Sequence, residues 1–82
     1  MKKVLLGSAR IAASRAFIPV IEETAEAGDA SGVFFAHLHS LVVVEREGSW
    51  VYSFSEIIPL DDLISNVPGL RHSMEQTREL LH

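Results

Sequence analysis

From Gly32 to Ile57 the chain reads GVFFAHLHSLVVVEREGSWVYSFSEI, two apolar and aromatic runs separated by a short polar break. Phe34, Phe35, Val42, Val43, Val44, Trp50, Val51, Tyr52 and Phe54 are β-branched or aromatic, types that suit a pleated, half-buried surface. The interruption Glu45-Arg46-Glu47-Gly48-Ser49 between them predicts an antiparallel hairpin. Loop length sets its register. A two-residue loop, Glu47-Gly48, pairs Arg46 with Ser49 and puts Trp50, Tyr52 and Phe54 on the face of Phe35, His37, His39 and Glu45. A three-residue loop, Arg46-Glu47-Gly48, closed by a left-handed glycine, puts these aromatics with Phe34, Ala36, Leu38, Val42 and Val44. The opposite face is then His37, His39, Leu41, Val43, Val51, Ser53 and Ser55. The three-residue loop is expected because it makes one face strongly apolar, and a slip of one residue carries every side chain across the sheet.

The flanking segments complete the pattern. Lys2–Leu6 is short, apolar and suited to a strand. After Ser8, a good helix N-cap, Ala9, Ala12, Ala13, Ala16, Phe17, Val20 and Ile21 fall at three-four spacing. That spacing predicts a helix kinked or divided at Pro19 and stopped by Gly28, with Asp29–Ser31 as a loop. Pro59 ends the hairpin. Leu60–Asn66 then fits a short helix with Leu60, Leu63, Ile64 and Val67 on one side and Asp61 and Asp62 favouring its N-terminal end. Pro68-Gly69 is a turn dipeptide, and Leu70–His82 is a last helix with the stripe Leu70, Met74, Thr77 and Leu81. The expected fold is α+β: residues 1–82 form one small domain, a three-stranded sheet with helices on one face, in the order β-α-β-β-α-α around a central antiparallel hairpin.

Composition changes this picture in one respect. Hydrophobic residues make up 48% of 82 positions, a high share for a thin core that buries roughly 60–65% of the unfolded surface. Two sheet faces are hard to cover with so short a chain, so association with a second copy or another protein is expected. There are no cysteines, which removes disulfides and thiolate metal sites and makes the cytoplasm the default compartment. The opening Met1-Lys2-Lys3-Val4-Leu5-Leu6 breaks at Gly7-Ser8 and Arg10, too early for a secretory h-region, and no apolar run approaches the length of a membrane span. A net charge of −4 argues against a nucleic-acid surface. The acidic cluster Glu22, Glu23 and Glu26, taken as part of the first helix, is a possible steering patch for a partner.

Candidate chemistry is sparse. His37 and His39, two apart on a strand, point the same way and form the best pair for a metal or small ligand. A third ligand is not placed by spacing; Glu56, His72 and His82 qualify by type only. Ser53 and Ser55 share the expected histidine face, but no serine lies in a nucleophile-elbow pattern. Lys3–Arg10 has the outline of a strand leading to an anion-binding turn, yet neither glycine-rich phosphate motif is present. Trp50, Tyr52 and Phe54 resemble a base-stacking row but, with no basic neighbours in the expected sheet apart from Arg46, read as core.

These features point to a non-enzymatic interaction module with no cofactor. It would form a homodimer, bind a larger protein or complex, inhibiting it in one version, or do both. The expected contact residues are His37, His39, Leu41, Val43, Val51 and Ser53, with Glu22, Glu23 and Glu26 as the acidic alternative. The competing expectation is a metal- or ligand-binding protein built on His37 and His39.

Overall fold

The structure, a computed structural model, describes residues 2–26, 33–54 and 56–81. The expected loop Asp29–Ser31, the expected helix stop Gly28, and Ser55 and His82 lie outside the described residues. The element order is β1 (Lys2–Leu6), β2 (Arg10–Ala12), β3 (Arg15–Glu26), β4 (Val33–Val44), β5 (Ser49–Ser53), α1 (Leu60–Asn66) and α2 (Leu70–Leu80). The class is α+β, but the sheet has five strands, not three, and every pairing is antiparallel. Among the described residues the strand order is β1-β3-β4-β5, with β2 also on β3.

The helix expected from Ala9 to Gly28 is absent from the described part of that stretch: β2 and β3 occupy it. Alternation is present in β3 but masked. Ala16, Ile18 and Val20 are buried under the helices, while Phe17, Pro19 and Ile21 on the other side are also apolar. A strand that is apolar on both faces loses its period-two signature. The turn that reverses the chain into β3 is hidden too. Ala13 and Ser14 both have positive φ, 52° and 62°, between the paired Ala12 and Arg15. That is the type I′ geometry ordinarily supplied by Asn-Gly, here built from an alanine and a serine, neither of which favours positive φ.

Pro19, which kinks a helix, is accommodated in β3 by an interruption next door. β1 pairs with β3 from Val20 onward and β2 from Phe17 backward, so Pro19 faces the gap between them. Its carbonyl accepts the Gly7 N–H at 2.8 Å, and the edge chain leaves the sheet after that bond. The missing proline donor therefore faces no acceptor in a ladder.

The second correction concerns the β4–β5 register. Val44 pairs with Ser49 across a four-residue loop, Glu45–Gly48, in which Glu45 N–H donates to the Gly48 carbonyl at 2.8 Å. This is one residue away from the expected closure. Trp50 and Tyr52 accordingly sit opposite Val43 and Leu41, while Val51 joins Val42 and Val44 on the other face.

Helices α1 and α2 cover only that second face. Leu63, Val67, Leu70, Met74 and Leu81 close over Ala16, Ile18, Val20, Val42 and Val44. The stripes expected for both helices are the ones that face the sheet. Pro68-Gly69 makes the corner between them: Gly69 has φ +85°, and the Leu70 N–H reaches the Val67 carbonyl at 3.2 Å, a type II pattern. Arg78 ties α2 to the β4–β5 loop, donating from Nε to the Glu45 carbonyl at 3.1 Å and from its guanidinium to Ser49 Oγ.

Candidate interaction surface

The sheet face away from the helices can be read row by row from the register. One row is Arg10, Phe17, Val43 and Trp50; the next is Pro19, Leu41 and Tyr52; the third is Leu5, Ile21 and Leu38. Three successive rows spanning the sheet are thus apolar except for Arg10 at the edge. Charged residues bracket them. At one end Arg15 sits 3.3 Å from a Glu45 carboxylate oxygen and lays its guanidinium over the Trp50 ring, 5.9 Å from the centroid. At the other end Lys3 pairs across strands with Glu23. An apolar centre with a charged rim is the anatomy of a protein contact surface.

Among the described residues no helix lies on this face. Tyr52 is 55% exposed and Leu38 40%, whereas the remaining members of these rows are half-buried by their neighbours on the sheet, apart from the exposed Arg10. Val43 is the exception: it is 2% exposed although it points away from the helices, because Phe17 and Trp50 flank it.

The expected contact residues divide accordingly. Leu41 and Val43 are on the open face, and only Leu41 has accessible surface of any size. Val51 and Ser53 are on the helix-covered side, exchanged for Trp50 and Tyr52 by the one-residue difference in register. The acidic cluster dissolves with the helix that carried it. In strand β3, Glu22 and Glu23 point to opposite faces; Glu26 ends the strand opposite Val33.

His37 and His39 do not act as a matched pair. Ile21 pairs with Leu38 and Val20 with Ser40, so His39 is an extra residue in β4, a bulge that cancels the period-two relation between the histidines. His37 is exposed and lies opposite Glu22, its Nε2 3.4 Å from a carboxylate oxygen. His39 is buried, 3% exposed, with Nδ1 3.0 Å from Ser40 Oγ and Nε2 3.9 Å from Glu56. Its carbonyl accepts the Phe54 N–H at 3.0 Å. The histidines thus engage different carboxylates. Among the described residues no group of three or more His, Cys, Asp or Glu side chains gathers as metal ligands would.

The open face was missed in part because its charged and aromatic residues come from two misread segments. The three-four spacing puts Arg10, Arg15 and Phe17 on a helix, and the three-residue loop puts Trp50 and Tyr52 on the covered side. Pro19 was the available signal: within a stretch of alternating burial it favours a strand beside a gap over a helix interior.

The chain matches no protein-family model, no curated protein and no solved structure. Among the described residues, no helix is long and apolar enough to cross a membrane.

Proposed function

We propose that this chain is a non-enzymatic protein-interaction module and that the open sheet face is its contact surface. The supporting observation is the set of three apolar rows, from Leu5 across to Trp50, that both helices leave bare. Burying aliphatic and aromatic area is worth roughly 25 cal/mol per Å², so a face of this composition favours a protein surface over water. The charged rim at both ends then fixes orientation more than it adds affinity.

The face also has aromatic and basic members, which is the make-up of a single-strand nucleic-acid platform. Two of its three basic groups, however, lie beside carboxylates. Arg15 is held by Glu45, and Lys3 lies opposite Glu23. With the whole chain at −4, the electrostatic attraction a nucleic acid needs is missing.

A photo-crosslinking phenylalanine analogue placed at Tyr52 tests the proposal inside cells. It is expected to capture protein, either a second copy or another chain, while the same analogue at Phe35, which lies opposite Thr24 on the other face, is expected to capture much less. No protein adduct at position 52, or equal yields at both positions, would refute it.

A further inference from the structure

Contact through the open face leaves its occupant to be named. Resting on that proposal, we infer that the occupant is a second copy of this chain, the two sheets packing face to face with their helices outward.

Charge supports a self-partner. The face carries Lys3, Arg10 and Arg15 against Glu23 and Glu45, so it is close to neutral, and both signs occur at each end. A copy turned either way along the strands meets no row of like charge. A strongly acidic or strongly basic partner would find little to complement.

Area supports it too. From the Arg15 row to the Lys3 row is about 27 Å, and the rows are three to four strands, about 14–19 Å, wide, giving a flat footprint of roughly 400–500 Å² per copy. Two such faces bury on the order of 800–1,000 Å², at the lower bound for a specific complex. A two-copy sandwich is therefore feasible but modest, with dissociation expected in the micromolar range rather than the nanomolar. Sheets stacked this way lie about 10 Å apart with strands within about 30° of each other. The most exposed apolar side chains of this face, Tyr52 and Leu38, are the ones that would seat between the partner's rows.

The sheet's free edge is a rival site for a second copy. Beyond Ser40 the outer edge of β4 has no strand beside it among the described residues, because β5 ends at Ser53 opposite Ser40. Val33–Val44 contains no charged residue and no proline, the usual guards of a free edge. Pairing along six residues of that edge would bury much less than the face, so the face is the stronger site.

Sedimentation of the full chain from below one to about a hundred micromolar, with emission from its single tryptophan, Trp50, decides the matter. The expected result is a mass of two chains that falls to one on dilution, with Trp50 emission moving to the red. Tyr52→Asp and Leu38→Asp should each weaken the pair by about tenfold or more, and Phe35→Asp by less than about twofold, with circular dichroism unchanged in all three. A two-chain mass lost in Phe35→Asp and kept in Tyr52→Asp would move the contact to the β4 edge and overturn the inference. A single-chain mass throughout would also overturn it. In that case the crosslink at Tyr52 separates the failures: an adduct with a different protein keeps the interaction role and discards the second copy, while no adduct discards both. Salt-dependent binding of single-stranded oligonucleotide, lost in Tyr52→Asp, would overturn both in favour of nucleic acid.

Discussion

The two faces of the sheet use the same kinds of side chain to different ends. On one, Ile18, Val20, Val42 and Val44 are fully buried beneath α1 and α2. On the other, Ile21, Leu38, Leu41 and Tyr52 occupy equivalent sheet positions with no helix above them. Strand composition alone does not say which face is the core. What decides it is where the chain that follows β5 goes, and here both helices go to one side. The radius of gyration is 14.3 Å, set by a longest dimension of 50 Å. A compact chain of this length would measure about 12 Å, so the sheet extends beyond what its helices cover.

Large-to-small substitution should separate the faces by stability. Ile18→Ala opens a cavity in the closed layer and is expected to cost about 3 kcal/mol. Leu41→Ala, measured on the dilute chain, removes a half-buried side chain and should cost about 1 kcal/mol. Urea melts followed by Trp50 fluorescence give both values. Equal losses would mean that the open face is as much a core as the closed one.

How much of this contrast the sequence discloses depends on the segment. β1, α1 and the stripe of α2 are legible because each is apolar on one side and ends at recognisable punctuation: Gly7, Pro59 and Pro68-Gly69. β4 and β5 are legible as strands, but their register is not. Glu45-Arg46-Glu47-Gly48 closes loops of two, three or four residues with similar ease, and the packing of Val51 against the helical layer is what excludes three. β2 and β3 are illegible by periodicity, since apolar residues on both faces and an alanine-rich start mimic a helix. That single misreading removes the central strand from the sheet and adds a helix that could have covered the open face. The expectation that one side would lack cover therefore holds on different residues: Trp50 and Tyr52 take the places given to Val51 and Ser53.

The open face is bare, but its backbone is held closely, and Gly7 tests this. A Cβ on Gly7 would lie 2.6 Å from Pro19 Cγ and 3.2 Å from the Pro19 carbonyl oxygen. Neither a proline ring nor a backbone oxygen can swing aside, so Gly7→Ala should destabilise by about 1–3 kcal/mol. The midpoint of thermal unfolding checks it. A change near zero would show that the junction of β1 and β2 is loose and that the open rows are not fixed relative to one another.

The β2–β3 turn offers a gain where the other changes bring losses. Ser14 holds φ 62° without being glycine. Ser14→Gly relieves left-handed strain of about 1–2 kcal/mol against the extra backbone entropy of glycine, so a net stabilisation of about 0.5 kcal/mol is expected. It is read as a higher unfolding midpoint with association through the open face unchanged, since Ser14 lies outside the apolar rows.

The smallest expected effect is the sharpest test of the contrast. Leu38→Ser replaces a 40% exposed side chain on the open face. In a chain diluted below its association range the substitution removes little buried area, and stability should move by no more than about 0.5 kcal/mol. At high concentration the same substitution takes apolar area out of the proposed contact and should lower the two-chain fraction. A face that exists for contact gives this split: near-neutral alone, costly in company. A loss of several kcal/mol in the dilute chain would place Leu38 in the monomer's own core, and the distinction between the two faces would fail at its centre.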